Sequence, residues 1–162
     1  MLNEKVEKAL NKQVNAEFYS SYLYRSMEAY FLSINLKGFA NWMNVQAGEE
    51  HKHGMKIFEF INDRNGTITL TQIDAPPDKW KSPLDAFEAV YEHEQKVTKM
   101  INELVDLAMA QNDQATLVML HWFINEQVEE EASAYEILEK LKLIKDSPQG
   151  LFMYDSVLGQ RK

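Results

Sequence analysis

Residues 50–53 read Glu50-His51-Lys52-His53, which places a carboxylate and an imidazole three positions apart. On a helix this step puts the two side chains on one face, about one turn apart. Glu17 lies 33 residues before Glu50 and 36 residues before His53. A carboxylate followed by such a paired step supplies one half of a two-metal site in a helical bundle.

The same spacing recurs 77 residues further along the chain. Glu94 is followed 33 residues later by Gln127 and 36 residues later by Glu130. A carboxylate from each of two helices, with a paired step from each of two others, is what a di-metal centre inside four helices requires. The repeat therefore predicts an all-α four-helix bundle with two metal ions in its core.

Each of the four ligand-bearing segments repeats its inward-facing side chains in alternating steps of three and four residues, the pattern of an amphipathic helix. These inward-facing rows cover residues 6–31, 39–60, 87–108 and 120–141. The six candidate ligands all fall in these rows, near the middle of each predicted helix. We therefore expect them to meet in one layer of the core.

Start and stop signals mark the ends of the predicted helices. Ser82-Pro83 and Ser147-Pro148 each supply an N-cap followed by a proline at the first helical position, and the second pair predicts a short fifth helix that ends near Leu158. Gly38 lies near the turn between the first two predicted helices, and Asn65-Gly66 predicts the end of the second.

One long connection, residues 65–81, joins the second and third helices. Its threonines and branched side chains over 67–71 favour extended backbone, and Pro76-Pro77 excludes helix. A connection of this length can run along the bundle, so that the third helix starts at the end opposite to where the second stops. The chain is predicted to form one domain, residues 1–162, with a single long crossover.

Composition narrows the functional classes. The formal net charge is −8, the isoelectric point is near 5.0 and no basic run is present, which argues against nucleic-acid binding. The chain has no cysteine, which excludes disulfides and any cysteine-ligated zinc, rubredoxin-type or iron–sulfur centre. The first residues lack the apolar stretch of a signal peptide, and no apolar run approaches the length of a membrane span. We therefore expect a cytoplasmic protein without membrane contact.

The candidate ligands indicate the kind of metal. Four carboxylates at core positions are too costly to bury unless cations neutralise them. The alternatives are a buried network of acids with lysine or arginine, or acids that stay protonated, and no lysine or arginine occupies the inward rows at this level. Carboxylates with one imidazole and no thiolate suit iron or manganese and tolerate zinc. The two metals would share Glu50, one with Glu17 and His53 and the other with Glu94 and Glu130.

Two further residues of the rows could serve this centre. Gln127 is either a weak ligand or a hydrogen-bond partner of one. Tyr24 lies two turns after Glu17 on the same row, where it could hydrogen-bond a ligand or supply an electron. A tyrosine at helical spacing can equally be a packing residue.

A second acidic set lies one residue away from the first and comprises Glu49, Glu126 and Glu129. These side chains would face the flank of the bundle beside the metal layer. Two interpretations stay open at this point, namely a third, weaker metal site and a solvated charged face. The remaining histidines, His51, His93 and His121, have no second ligand at helical spacing and are interpreted as surface or interface residues.

Together these motifs, with the run 126–131 (Glu-Gln-Val-Glu-Glu-Glu), resemble those of the prokaryotic non-haem ferritins over essentially the whole chain. The resemblance implies the ferritin-like fold and a homo-oligomeric shell of 24 subunits. It implies that Fe(II) is oxidised by O2 or H2O2 at a di-iron ferroxidase centre within each subunit, and that ferric mineral is stored inside. The family's ferroxidase ligands match the six candidates above, and its third iron site matches Glu49, Glu126 and Glu129 with Glu130 shared.

Differences from related families narrow the choice of family that the chain resembles. Bacterioferritins have a histidine where this chain has Glu130, and a haem-ligating methionine where it has His51, so no haem is expected. Rubrerythrins need a cysteine-bound iron domain, and mini-ferritins of the Dps type place their ligands between subunits and lack the fifth helix. A di-iron oxidase or peroxidase without storage would use the same ligands, and a bundle that merely assembles or buffers metal is the non-enzymatic alternative.

Overall fold

The computed structural model describes residues 2–162. Its helices are α1 (Glu4–Ser33), α2 (Lys37–Asp63), α3 (Pro83–Ala110), α4 (Gln114–Ile144) and α5 (Pro148–Leu158). No strand occurs in the described residues, so the predicted all-α class and the short fifth helix are confirmed. Within that same range, no helix combines the length and apolarity that a membrane crossing needs.

The four long helices pack as two antiparallel pairs, α1 with α2 and α3 with α4, and α1 also contacts α3. Each pair is joined by a turn of three residues. Asn35 in the first turn and Asn112 in the second adopt left-handed backbone, with φ of 60° and 53°. Asparagine tolerates this conformation better than most residues, which lets each helix end sharply and the chain reverse.

The crossover runs along α1. Near its start the Thr69 amide donates to Asn11 Oδ1 at 2.7 Å, and near its end the Pro77 carbonyl accepts from Ser26 Oγ at 2.5 Å. Those two α1 residues are fifteen positions apart, or about 22 Å along the helix axis. The crossover therefore carries the chain along much of the bundle, as predicted.

The predicted helix starts are confirmed by their capping bonds. Ser82 Oγ accepts from the Asp85 amide at 3.1 Å, and Ser147 Oγ accepts from the Gly150 amide at 3.1 Å. Both serines have extended backbone and precede a proline at the start of the helix. The caps therefore provide acceptors for amides that have no partner within the helix.

Gly38 lies inside the first turn of α2, where α5 docks. The residue before the helix, Leu36, provides no side-chain cap, and Asp155 of α5 takes that role. Its Oδ1 accepts from the Gly38 amide at 2.8 Å and from the Phe39 amide at 3.0 Å. A Cβ atom on Gly38 would lie 1.6 Å from the Asp155 carbonyl oxygen, so this close approach requires glycine.

The core consists of two apolar clusters with a polar layer between them. One cluster contains Phe31, Phe39 and Phe87, and the other contains Leu10 and Ile101, each with further buried side chains. The buried polar residues are Gln13, Glu17, Ser20, Gln46, Glu50, His53, Glu94, Thr116, Gln127 and Glu130. Most of them lie on the helices between the segments that supply the two apolar clusters.

Candidate metal centre

The six predicted ligands are all buried, with between 1% and 7% of each residue exposed. They come from the middle of all four long helices, and we call this set the metal layer: Glu17, Glu50, His53, Glu94, Gln127 and Glu130. The buried residues of the described chain include no lysine or arginine. The described residues therefore contain no network of acids neutralised by buried lysine or arginine.

Two groups of ligand atoms meet in this layer. Glu17, Glu50 and His53 offer atoms that all lie within 4.8 Å of one another, and Glu50, Glu94 and Glu130 do the same. Glu50 belongs to both groups, the position that a bridging carboxylate would occupy. Within the first group, Glu50 Oε2 lies 3.4 Å from His53 Nδ1.

Deprotonation of the buried glutamates in the metal layer is unfavourable without cations. Burial, followed by the nearby Glu50 carboxylate, raises the pKa of Glu17 to about 8. Burial, with Glu94 next, raises the pKa of Glu130 to about 7. The pKa of Glu50 is raised well above its ordinary value by burial and then by Glu94 and Glu130, and burial also raises the pKa of Glu94. These acids therefore favour a bound proton or a bound cation over a bare negative charge.

One ligand atom has no hydrogen-bond partner. Glu17 Oε1 accepts from Gln13 Nε2 at 2.7 Å, whereas the buried Glu17 Oε2 has no partner among the described residues. A buried carboxylate oxygen left in this state is destabilising. Because Glu17 belongs to a group with a second carboxylate and an imidazole, a cation ligated by that group could satisfy this oxygen.

Glutamine side chains hold the carboxylates in place. The Gln46 amide donates to Glu50 Oε1 at 3.0 Å and to Glu130 Oε2 at 2.7 Å, so it links α2 to α4. The Gln127 amide donates to Glu94 Oε2 at 3.2 Å, which is the arrangement expected of a hydrogen-bond partner. Helical spacing alone assigned no role to Gln13 and Gln46, although each lies one turn before a glutamate of the metal layer.

Tyr24 lies in the wall of the layer. It is fully buried, and its hydroxyl donates to Glu94 Oε1. Burial, followed by the charge of Glu94, raises the pKa of Tyr24 well above its ordinary value, so the phenol keeps its proton. Of the alternatives open at the sequence level, this contact matches the hydrogen bond to a ligand.

His93 differs from the prediction for the three other histidines. His51 and His121 are exposed, but His93 is half-buried and its Nε2 lies 2.7 Å from Ser20 Oγ. Its ring packs edge-on to Tyr24 at 6.0 Å between centroids. Burial, with Lys96 second, lowers the pKa of His93 to about 4, so the ring is neutral. The sequence predicted a surface or interface residue, and the structure places His93 half-buried against α1, a contact that helical spacing on α3 alone does not show.

The second acidic set is not assembled as a unit. Glu126 Oε1 lies 3.7 Å from His53 Nε2, and Glu126 forms a third group with His53 and Glu130 within 4.8 Å. Glu49 and Glu129 belong to none of the three groups found in residues 2–162. Glu129 is exposed, while Glu49 lines the same surface groove of about 500 Å³ as Glu126 and His53.

Comparison with known proteins gives concordant matches. The family described as Ferritin-like domain matches residues 7–144. A bacterial non-heme ferritin of Bacteroides fragilis is 45% identical over 161 residues, which is 99% of this chain and 100% of that protein. A bacterial non-heme ferritin of Campylobacter jejuni is 37% identical over 98% of this chain and 95% of its own length. Among solved structures, an open pore ferritin from the archaeon Archaeoglobus fulgidus superposes with a TM-score of 0.99 at 53% identity, over the full length of both chains.

Proposed function

This chain belongs to the ferritin family, whose members store iron, and from that premise we propose that it oxidises Fe(II) at a di-iron centre in its own bundle and stores the product inside a shell of 24 subunits. Fe(II) and either O2 or H2O2 are the proposed substrates. The observation that carries the proposal is the position of Glu50, whose carboxylate belongs to both groups of buried ligand atoms.

The ligands divide into two unlike positions. Glu17 and His53 would complete one position around Glu50, and Glu94 and Glu130 would complete the other. The first position has a nitrogen ligand, whereas the second has oxygen ligands only. Because imidazole suits Fe(II), whereas carboxylate-only sites suit hard cations such as Mg²⁺ and Ca²⁺, we expect the first position to bind Fe(II) more tightly.

Two Fe(II) ions supply the two electrons that the proposed reaction needs. Each Fe(II) gives one electron to O2, which with two protons becomes H2O2, and the irons become Fe(III). With H2O2 as the oxidant, two electrons from the irons and two protons convert each H2O2 into two water molecules. The buried carboxylates stabilise the increased positive charge, since opposite charges attract strongly where water is excluded.

Neighbouring side chains act on the ligands. Tyr24 and Gln127 both donate to Glu94, and Gln46 donates to Glu50 and Glu130. Hydrogen bonds of this kind fix the orientation of ligating carboxylates and change metal affinity when they are removed. We propose that Tyr24 positions Glu94 through the hydrogen bond from its hydroxyl to that carboxylate.

A third iron position is proposed beside the centre. Of its three carboxylates, Glu126 is the best placed to ligate iron, because its ligand atom already lies within 4.8 Å of those of His53 and Glu130. Glu49 and Glu129 would join when a cation is bound. Such a position would receive iron that leaves the centre. Its carboxylates are partly solvated, so it should bind iron more weakly than the buried pair.

Assembly into a shell is supported by the match along the whole chain to an open pore ferritin and by apolar side chains on α5. Phe152, Met153 and Val157 are 73%, 63% and 55% exposed in the single chain. Side chains of this kind are commonly covered by neighbouring subunits. A cytoplasmic location stays a prediction.

Aerobic loading with Fe(II), followed by size-exclusion chromatography and iron analysis, tests the storage function. We expect a particle of shell size that retains far more than about three irons per chain, because these carboxylate groups offer no more than three positions. Retention of only that first complement on a monomer or dimer would favour the di-iron oxidase.

A further inference from the structure

The residues after α5 return along the start of α2. The Asn41 side chain donates from Nδ2 to the Arg161 carbonyl at 3.0 Å. The Arg161 guanidinium lies 4.4 Å from the centre of the Trp42 ring, and its Nη1 donates to the Trp42 carbonyl at 3.4 Å. These contacts fix the C-terminal tail, residues 159–162, by both its backbone and one side chain.

The same guanidinium forms an ion pair with Glu49. Arg161 Nη2 lies 2.5 Å from Glu49 Oε2, and the side chains are 23% and 36% exposed. The two residues are 112 positions apart, so only the docking of the tail brings them together. Arg161 therefore neutralises one of the three carboxylates proposed for the third iron position.

The ion pair also engages a carboxylate that lines the groove beside the metal layer. Glu49, Glu126 and His53 line one groove, yet only Glu126 groups with the ligand atoms of the metal layer. The Glu49 carboxylate already accepts from Arg161 through Oε2, so a cation that ligates Glu49 must bind beside a positive charge or displace it. The guanidinium repels a cation at that carboxylate and competes with it for Oε2.

We propose that Arg161 competes with the cation for Glu49 and thereby sets the affinity of the third iron position. The inference rests on the proposed function and specifies how that position is regulated. Arg161 is a positioning residue that acts through Glu49. Because the two equilibria are linked, a docked tail weakens cation binding at Glu49, and cation binding at Glu49 weakens the docking of the tail by the same factor.

The affinity test uses the assembled, metal-free protein and an anaerobic calorimetric titration with Zn²⁺, which occupies carboxylate and imidazole sites without redox chemistry. Arg161→Gln should tighten the weakest Zn²⁺ position on the order of fivefold, the effect of removing a partly exposed ion pair. The two tighter positions should not change. Arg161→Lys keeps the charge and should stay near the wild type. Lys162→Gln removes one positive charge from the same tail at an exposed residue and is the matched control.

Hydrogen exchange of the tail provides a second readout. The Gly159 and Arg161 amides donate to the Asp155 and Leu158 carbonyls at 3.0 and 3.3 Å, so their exchange reports on tail docking. Filling the weakest position of the wild type with Zn²⁺ should speed exchange in residues 159–161, and filling the two tighter positions should not. An arginine with a merely structural role would release the tail in Arg161→Gln without changing Zn²⁺ affinity.

An unchanged affinity of the weakest position in Arg161→Gln would overturn the proposal. A wild type and a variant that both bind only two Zn²⁺ ions would also overturn it, while leaving the buried centre intact. If neither protein binds Zn²⁺ at all, the proposed centre itself fails, so the two failures can be told apart.

Discussion

Gln46 on α2 donates its side-chain amide to Glu130 on α4 at 2.7 Å, and the same nitrogen reaches Glu50 at 3.0 Å. One neutral side chain thus fixes two carboxylates from different helices. No lysine or arginine is buried beside Glu130, so Gln46 is the side chain that hydrogen-bonds its carboxylate. Gln46 is therefore part of the proposed centre although it cannot neutralise any charge.

Replacing Gln46 with leucine tests this role. Gln46→Leu introduces an apolar side chain of similar size and removes both hydrogen bonds. The second, oxygen-only position should therefore weaken roughly tenfold, since hydrogen bonds to charged groups contribute about 1.5–3 kcal/mol. Anaerobic Zn²⁺ titration measures the change. The exposed Gln114→Leu is the control. Equal affinities in both variants and the wild type would show that Gln46 does not hold the ligands.

Tyr24→Phe should keep the fold and slow Fe(II) oxidation about tenfold, because Glu94 loses a buried donor. Stopped-flow absorbance during aerobic mixing gives the rate. Tyr22→Phe removes a hydroxyl from a side chain that is 54% exposed on the same helix and should leave the rate unchanged. A Tyr24→Phe rate equal to that of Tyr22→Phe would exclude a positioning role.

The metal-free protein should lose stability as the pH rises. Between the ordinary glutamate pKa of 4.5 and about 8, folded Glu17 binds a proton that the unfolded chain lacks. The unfolded state therefore binds fewer protons, and the free energy of unfolding falls with pH across this window. The same sign applies to Glu130, whose pKa is about 7.

Thermal unfolding in the presence of a chelator, from pH 5 to pH 8, measures this trend. Glu17→Gln cannot change charge at that position, so its stability should fall less steeply than that of the wild type. Excess Zn²⁺ should reverse the trend, because metal binding favours the deprotonated ligands. A metal-free wild type that gains stability over the same pH range would contradict these pKa shifts.

Gly38→Ala should destabilise the protein by about 2 kcal/mol or more, because the new Cβ would meet backbone of α5 rather than a mobile side chain. The matched control is Gly48→Ala in the same helix, where an added Cβ meets nothing within 4 Å. That control should stabilise by up to about 1 kcal/mol, since alanine favours helix more than glycine does. Chemical denaturation of both variants checks the difference in sign, and an equal effect would contradict the close packing of α5.

Much of this fold could be predicted from local signals. The caps at Ser82 and Ser147 and the end of α2 depend on residues within a few positions, and helical spacing was sufficient to place six polar residues in one layer. The features that sequence reasoning missed depend on contacts between distant segments. Asp155 caps α2 from 117 positions away, and Arg161 reaches Glu49 over 112 positions. No pattern in either segment indicates its partner.

The residues of the candidate site also differ in how far the sequence could predict their positions. The buried ligands follow from periodicity, because a carboxylate on an apolar row is too costly to bury without a proton or a cation. Glu49, Glu126 and Glu129 are adjacent to that row, and their positions depend on side-chain conformation and on competing partners. The structure brings Glu126 to His53, leaves Glu129 exposed and pairs Glu49 with Arg161.

The shared position of Glu50 is the central claim, and rapid mixing of anaerobically Fe(II)-loaded protein with O2 tests it most directly. The wild type should oxidise two irons per chain in a fast phase, whereas Glu50→Ala should assemble normally and slow that phase by about a hundredfold or more, as expected when a ligand common to both metals is removed. Glu103→Ala, at an exposed α3 glutamate, should behave as the wild type. Fast oxidation of two irons by Glu50→Ala at the wild-type rate would contradict the bridging role of this carboxylate.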